Sequence, residues 1–274
     1  MKIENLVFVM LLFLLGLISA CAQQPEHIVD LAVQGQQKNV DILKNGDATG
    51  VEAEMVDYGT SRGYLAKPKK GGKYPGIVMV HEWWGLNDNI MEMARQLAAE
   101  GYVVLAVDLF DGKAAKDATE AREYSTLVRN NPEKTITNLK SAVQFLKQQD
   151  NVDGSRIASL GWCFGGQWSL QLALKEKLSA TVIYYGSLET DPEKLKSIEW
   201  PVLGIFGSLD TSIPVETVKK FEAALNEAGV ENEIHIYEGV GHAFANPSGA
   251  NYAPEQTKDA WEKTLAFLEK HLKA

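Results

Sequence analysis

The chain has 274 residues, 45% of them apolar and 23% charged, with a formal net charge of −9. That length and apolar content suffice for one large core, and many α/β folds of this size run as a single domain. The acidic balance argues against a nucleic-acid partner, whose recognition rests on basic patches, and only two cysteines, Cys21 and Cys163, are present.

The first segment sets the compartment. Leu6 to Ile18 is a continuous apolar run of thirteen residues after Lys2, which suits a signal peptide and is too short to span a bilayer as a helix. It ends in Leu17-Ile-Ser-Ala-Cys21, which resembles a bacterial lipobox. On that resemblance residues 1–20 are a lipoprotein-type signal peptide, and Cys21 is the lipidated first residue that holds the chain to a membrane of the cell envelope. The competing reading is cleavage after Ala22 at the A-x-A sequence Ala20-Cys-Ala22, which yields a soluble exported protein. Losing residues 1–20 removes one lysine and one glutamate, so the mature charge stays at −9.

Residues 21–50 are rich in Gln, Asn and Asp without sustained periodicity and read as a tether and lead-in. From Val51 to the end the pattern is regular. It predicts strands near 52–57, 62–67, 75–81, 102–108, 156–161, 180–185, 201–206 and 232–237. Helices are expected near 88–100, 117–129, 132–149, 166–176, 214–228 and 254–271. Alternation of this kind, with near-continuous Val/Ile/Leu strands, predicts an α/β domain over 51–274 with a mostly parallel sheet covered on both faces; the first two strands form an antiparallel edge.

Three strand ends carry chemistry. The run Ile157-Ala-Ser-Leu-Gly-Trp-Cys-Phe-Gly-Gly166 reads as a nucleophile elbow with cysteine in the nucleophile's place, glycines giving room for the turn. A cysteine there sits at a helix N-terminus, where free amides and the dipole favour thiolate over thiol. Leu203-Gly-Ile-Phe-Gly-Ser-Leu-Asp210 is an apolar strand ending in a loop aspartate, and Ile234-His-Ile-Tyr-Glu-Gly-Val-Gly-His242 ends in a Gly-flanked histidine. The order nucleophile, acid, histidine is that of α/β-hydrolases. Gaps of 47 and 32 residues each leave room for a helix and a strand, so all three side chains can emerge at one sheet edge. Upstream, Pro75-Gly-Ile-Val-Met-Val-His81 is a buried-strand run with Glu82 at its carboxyl end, followed by Trp83 and Trp84. No further His or Cys stands near His81 and Glu82 at ligand spacing, so no metal site is expected.

On His81-Glu-Trp-Trp-Gly85, Gly161-Trp-Cys-Phe-Gly-Gly166, Gly207-Ser-Leu-Asp210 and Gly241-His-Ala-Phe244, residues 50 to 272 resemble the dienelactone hydrolase family, of α/β-hydrolase fold. The resemblance implies a Cys163, Asp210, His242 triad that cleaves an ester or lactone without a cofactor. It also implies that Glu82 contacts the resting thiol and is displaced by substrate, and that the Trp83 and Phe164 amides form the oxyanion hole. Trp84 and Trp162 are expected to bind substrate. The sequence departs from the family where arginines meet a substrate carboxylate: the matching positions are Asn246 and, approximately, Gly112. Without those charge-assisted contacts a neutral substrate is expected. Lys113 and Arg122 are the neighbouring cations, and each also reads as an ordinary solvated charge. Two other functions fit the same residues: an acyltransferase using the thiol, and a non-catalytic binding lipoprotein on the hydrolase fold.

Overall fold

The computed structural model describes residues 50–273. The leader, Cys21 and the tether up to residue 49 lie outside the described residues. Among those described, no helix is long and apolar enough to cross a membrane.

An eight-stranded sheet organises the chain. Strands β1 (Val51–Tyr58), β2 (Ser61–Pro68), β3 (Tyr74–Val80), β4 (Val103–Val107), β5 (Val152–Trp162), β6 (Ala180–Tyr184), β7 (Val202–Gly207) and β8 (Asn232–Tyr237) stand in the order β1-β2-β4-β3-β5-β6-β7-β8. β1 and β2 pair antiparallel and β2 runs antiparallel to β4, while β4, β3, β5, β6, β7 and β8 are mutually parallel. This is the α/β-hydrolase arrangement. The helices are α1 (Asp88–Ala99), α2 (Ala118–Arg129), α3 (Pro132–Lys147), α4 (Phe164–Ala173), α5 (Pro192–Leu195), α6 (Val215–Ala228) and α7 (Pro254–Leu272).

Side-chain alternation along the strands splits the core between the two faces. Val78 and Val80 of β3 and Val103, Leu105 and Val107 of β4 pack with α3, α4 and α6. Ile77, Met79, Val104 and Ala106 face the other way, onto α1 and α7. Central strands buried on both faces need apolar residues at every position, which is why they read as continuous runs and not as alternation.

Local chemistry fixes the helix starts. Asn87 accepts from the Ile90 amide to cap α1, Asp117 accepts from the Thr119 and Glu120 amides to cap α2, and Pro132 and Pro254 occupy first-turn positions of α3 and α7. Three of the departures from the expected elements have a visible cause. α4 begins at Phe164 instead of residue 166, because it starts directly on the turn at Cys163; the poor helix formers Gly165 and Gly166 hide that start from any propensity argument. β5 begins at Val152, where it pairs with Tyr74 ahead of a register shift. The single turn α5, which the periodicity does not predict, is held by Asp191 accepting from the Glu193 amide with Pro192 behind it.

The sheet order places a crevice. β4 lies on one side of β3 and β5 on the other, so the chain reverses its direction of travel across the sheet between them. Ligand sites in open α/β sheets form at the carboxyl ends of strands beside such a reversal. Register brings Val80 opposite Gly161, Trp162 opposite Tyr184 and Gly207 opposite Tyr237, so the segments after β3, β5, β6, β7 and β8 leave the sheet along one edge.

Candidate active site

Cys163 links β5 to α4 with φ 54° and ψ −116°, a region that residues with side chains rarely occupy and that persists only when the surroundings impose it. Its amide donates to the Tyr184 carbonyl at 2.9 Å, and its carbonyl accepts from the Gln167 amide at 3.2 Å, so the turn is tied to β6 on one side and to α4 on the other. The glycines around it serve close backbone approach. A Cβ on Gly161 would lie 2.2 Å from the Gly165 carbonyl oxygen. The strain is concentrated here: of the four described non-glycine residues with positive φ, Cys163, Tyr185 and Ala243 belong to this region.

The structure brings Cys163, His242 and Asp210 into one chain of contacts. The Cys163 Sγ lies 3.1 Å from Nε2 of His242, and His242 Nδ1 lies 2.7 Å from Oδ2 of Asp210. The other Asp210 oxygen accepts from the Ser212 amide at 2.7 Å and the Ile213 amide at 3.0 Å. That fully buried carboxylate side chain is therefore committed in direction. Burial disfavours a charge on His242, but the hydrogen bonds from Asp210 and Cys163 outweigh it and push the imidazole up to about 10. The Asn251 side chain donates to the His242 carbonyl at 2.9 Å and fixes the loop that carries it.

Glu82 is placed differently from what the resemblance implies. It is 5% exposed, and its Oε2 accepts from Asn246 Nδ2 at 2.5 Å; the hydrogen-bond partner of the Cys163 thiol is His242. Oε1 has no hydrogen-bond partner among the described residues. Burial pushes the Glu82 carboxyl up to about 7, against the nearby His242 and the Asn246 hydrogen bond, which both lower it. The Tyr185 hydroxyl, fully buried, stands beside this carboxyl and the Ala245 backbone without closing a hydrogen bond of normal geometry to either. Its ring meets the His242 imidazole edge-on at 5.3 Å.

His81, beside Glu82, is fully buried. Its Nδ1 faces the Glu82 carbonyl at 2.5 Å and its Nε2 faces the Leu109 amide at 3.2 Å. The neutral tautomer with a proton on Nδ1 satisfies both contacts, and burial lowers its basicity. It joins the end of β3 to the end of β4. Among the described residues no cluster of three or more His, Cys, Asp or Glu side chains could hold a metal ion.

The remaining expected residues divide. The turn after β3 closes through the Gly85 amide to the Glu82 carbonyl at 3.2 Å, with Trp83 and Trp84 inside it and their rings 5.0 Å apart. The Phe164 amide is the first of α4 and has no intrahelical acceptor. Strand parity turns Trp162 with Ala158 and Leu160 into the face packed by α1 and α7, 4% exposed, with its ring 5.5 Å from that of Tyr184, and there it lines a small cavity together with Glu82 and Asn246. Arg122 is exposed on α2, and the Lys113 ammonium sits 5.2 Å over the Tyr124 ring. Tyr185 and the Asn246 to Glu82 contact were not foreseen. The second joins residues 164 apart in sequence.

A parallel sheet with these groups gathered at its carboxyl edge defines a hydrolase of α/β-hydrolase fold. The sequence model of the dienelactone hydrolase family matches residues 61–272, and the chain belongs to that family. It is 33% identical over 218 residues to the protein usf of Aquifex pyrophilus, covering 77% of this chain and 94% of that one. It is 31% identical over 258 residues to a Methylorubrum extorquens protein named "Putative carboxymethylenebutenolidase", covering 88% of each. Among solved structures, a dienelactone hydrolase-like promiscuous phosphotriesterase from metagenomic libraries superposes with a TM-score of 0.75 at 26% identity, over 81% of this chain and 99% of that one.

Proposed function

We propose that this chain hydrolyses a neutral ester or lactone through a covalent thioester on Cys163. The observation that carries the reading is the continuous run from the Cys163 Sγ through His242 to Asp210, at 3.1 and 2.7 Å, within the reach such a relay needs. In the first half, the Cys163 sulfur, whose proton is held on Nε2 of the raised His242 imidazole, attacks the carbonyl carbon, and the carbonyl electron pair moves to oxygen. The amides of Trp83 and Phe164 receive that oxyanion. Collapse breaks the ester C–O bond, and His242 returns the proton to the departing alkoxide. In the second half, His242 takes a proton from water, the hydroxide attacks the thioester, and the acid leaves as the thiolate is reprotonated. Asp210 holds the Nδ1 proton and steadies the imidazolium at both stages. No cofactor enters the sequence.

The expected neutrality of the substrate rests on Asn246 and Gly112. Neither offers a cation, and the Asn246 amide is already committed to Glu82. Trp84, in the turn after β3, is the aromatic surface proposed for the substrate's apolar part. The test is turnover of a panel of activated esters and lactones, one of them a diene lactone, by the wild type and Cys163→Ala, with circular dichroism confirming the fold of each. Activity lost in a folded Cys163→Ala protein supports the thiol nucleophile; equal activity in both proteins refutes it.

We further propose that the mature protein is an exported lipoprotein held to an envelope membrane by Cys21. The support is the thirteen-residue apolar run and the Leu17-Ile-Ser-Ala-Cys21 sequence. Fractionation tests it: the wild type should partition with membranes and Cys21→Ala should not, whereas cleavage after Ala22 predicts a soluble product in both cases.

A further inference from the structure

The buried carboxyl of Glu82 is held from one side only. Asn246, itself buried, donates to Oε2 while Oε1 goes without a partner among the described residues. The orientation of that amide is not free. The Asn246 oxygen accepts from the Ser248 amide at 2.9 Å, so its nitrogen must be the group that faces Glu82; rotating the amide would set oxygen against carboxylate and N–H against N–H. The remaining walls around Glu82 are Asn89, Ile90 and Met93 of α1 and Trp162 of β5, none of them charged. The titratable groups that face it are His242, Tyr185 and, beyond Tyr185, Cys163. His81 touches it through the backbone carbonyl and stays neutral.

We propose that Asn246 is a positioning residue: through one N–H, oriented by Ser248, it stabilises the Glu82 carboxylate and holds it off the thiol, so that Cys163 pairs with His242. The inference takes from the proposed function only that Cys163 is the reactive thiol of this site. A hydrogen bond to an ionised acceptor favours the charged form, and in this low-dielectric setting it works against the burial that lifts Glu82 to about 7. Because Glu82 and His242 interact directly, the protonation of Glu82 is felt at the thiol through His242.

The readout is the pH dependence of Cys163 alkylation by iodoacetamide in the full-length chain, followed on the peptide that carries Cys163, since only the thiolate reacts. The wild-type profile should carry an inflection near pH 7 that is absent in Glu82→Gln. In Asn246→Ala the inflection should move up by about one to two pH units, the worth of one hydrogen bond to a charged group. Asn246→Asp keeps an acceptor for Ser248 and loses the donor, so it should shift the inflection the same way and serves if the alanine variant folds poorly. In a Glu82→Gln background, Asn246→Ala should leave the profile unchanged. The proposal is overturned by a wild-type profile without an inflection that Glu82→Gln removes, by an inflection that stays in place in the Asn246 variants, or by an equal shift in the Glu82→Gln background. Alkylation needs no turnover, so an enzyme inactive on esters that still showed these shifts would refute the hydrolase reading and leave this one standing.

Discussion

Gly165 and Val80 approach so closely that a Cβ on the glycine would lie 2.1 Å from the Val80 carbonyl oxygen. Nothing flexible stands between them: one is the first turn of α4, the other the last residue of β3. This contact holds the turn at Cys163 against the strand that leads to Glu82 and Trp83. Gly165→Ala must therefore part the two backbones. The expected cost is about 3 kcal/mol, at the upper end for overpacking, read as a lower denaturant midpoint, together with slower alkylation of Cys163. An unchanged midpoint would show that the elbow can relax freely.

Asp210→Asn makes a sharper test of the relay than removal of the side chain. The Ser212 and Ile213 amides both donate to Oδ1, so the asparagine oxygen must stay there and its NH2 must point at His242 Nδ1. That forces the imidazole proton onto Nε2, the nitrogen that has to accept from the thiol. Turnover should fall on the order of 10⁴-fold, as for the matching change in serine triads, with the fold kept. Retention of most of the activity would take Asp210 out of the mechanism.

The strands, and the edge at which Cys163, Asp210 and His242 meet, were legible in the sequence, because each depends on a local pattern: an apolar run, a glycine-flanked turn, a separation long enough for one crossover. The low exposure of Trp162 was legible too, since Ala158, Leu160 and Trp162 share one face of β5 by strand parity. The Glu82 partner was not legible, because residues 82 and 246 meet only when the segment after β8 reaches back across the carboxyl ends of β7, β6 and β5 to the turn after β3. The positive φ of Tyr185 carries no sequence signal either; glycine would announce such a position, and tyrosine conceals it.

Tyr185→Phe follows from that concealed residue. The hydroxyl is fully buried and closes no normal hydrogen bond, so deleting it relieves a desolvation cost and forfeits little. Thermal stability should stay within about 1 kcal/mol of wild type or rise. A loss of several kcal/mol would show that the hydroxyl is firmly bonded in solution, and Glu82 would be the partner to examine.

Glu82→Gln should change stability in a way that depends on pH. The folded-state carboxyl is raised from 4.5 to about 7, so between those values the folded protein holds a proton that the unfolded chain has released. Stability from this group is full below about pH 4.5 and is lost as pH rises toward 7. Glutamine removes that dependence and keeps the shape: its oxygen can accept from Asn246 while its NH2 takes the place of the unpartnered Oε1. The two proteins should therefore be close in stability at pH 4.5, and the variant should be the more stable at pH 8 by about 3 kcal/mol, the worth of a carboxyl raised from 4.5 to about 7. Denaturant unfolding at both pH values decides it. A gap that is constant with pH would mean that Glu82 titrates no differently folded than unfolded, and one that moves toward wild type as pH rises would mean that folding lowers its carboxyl instead of raising it.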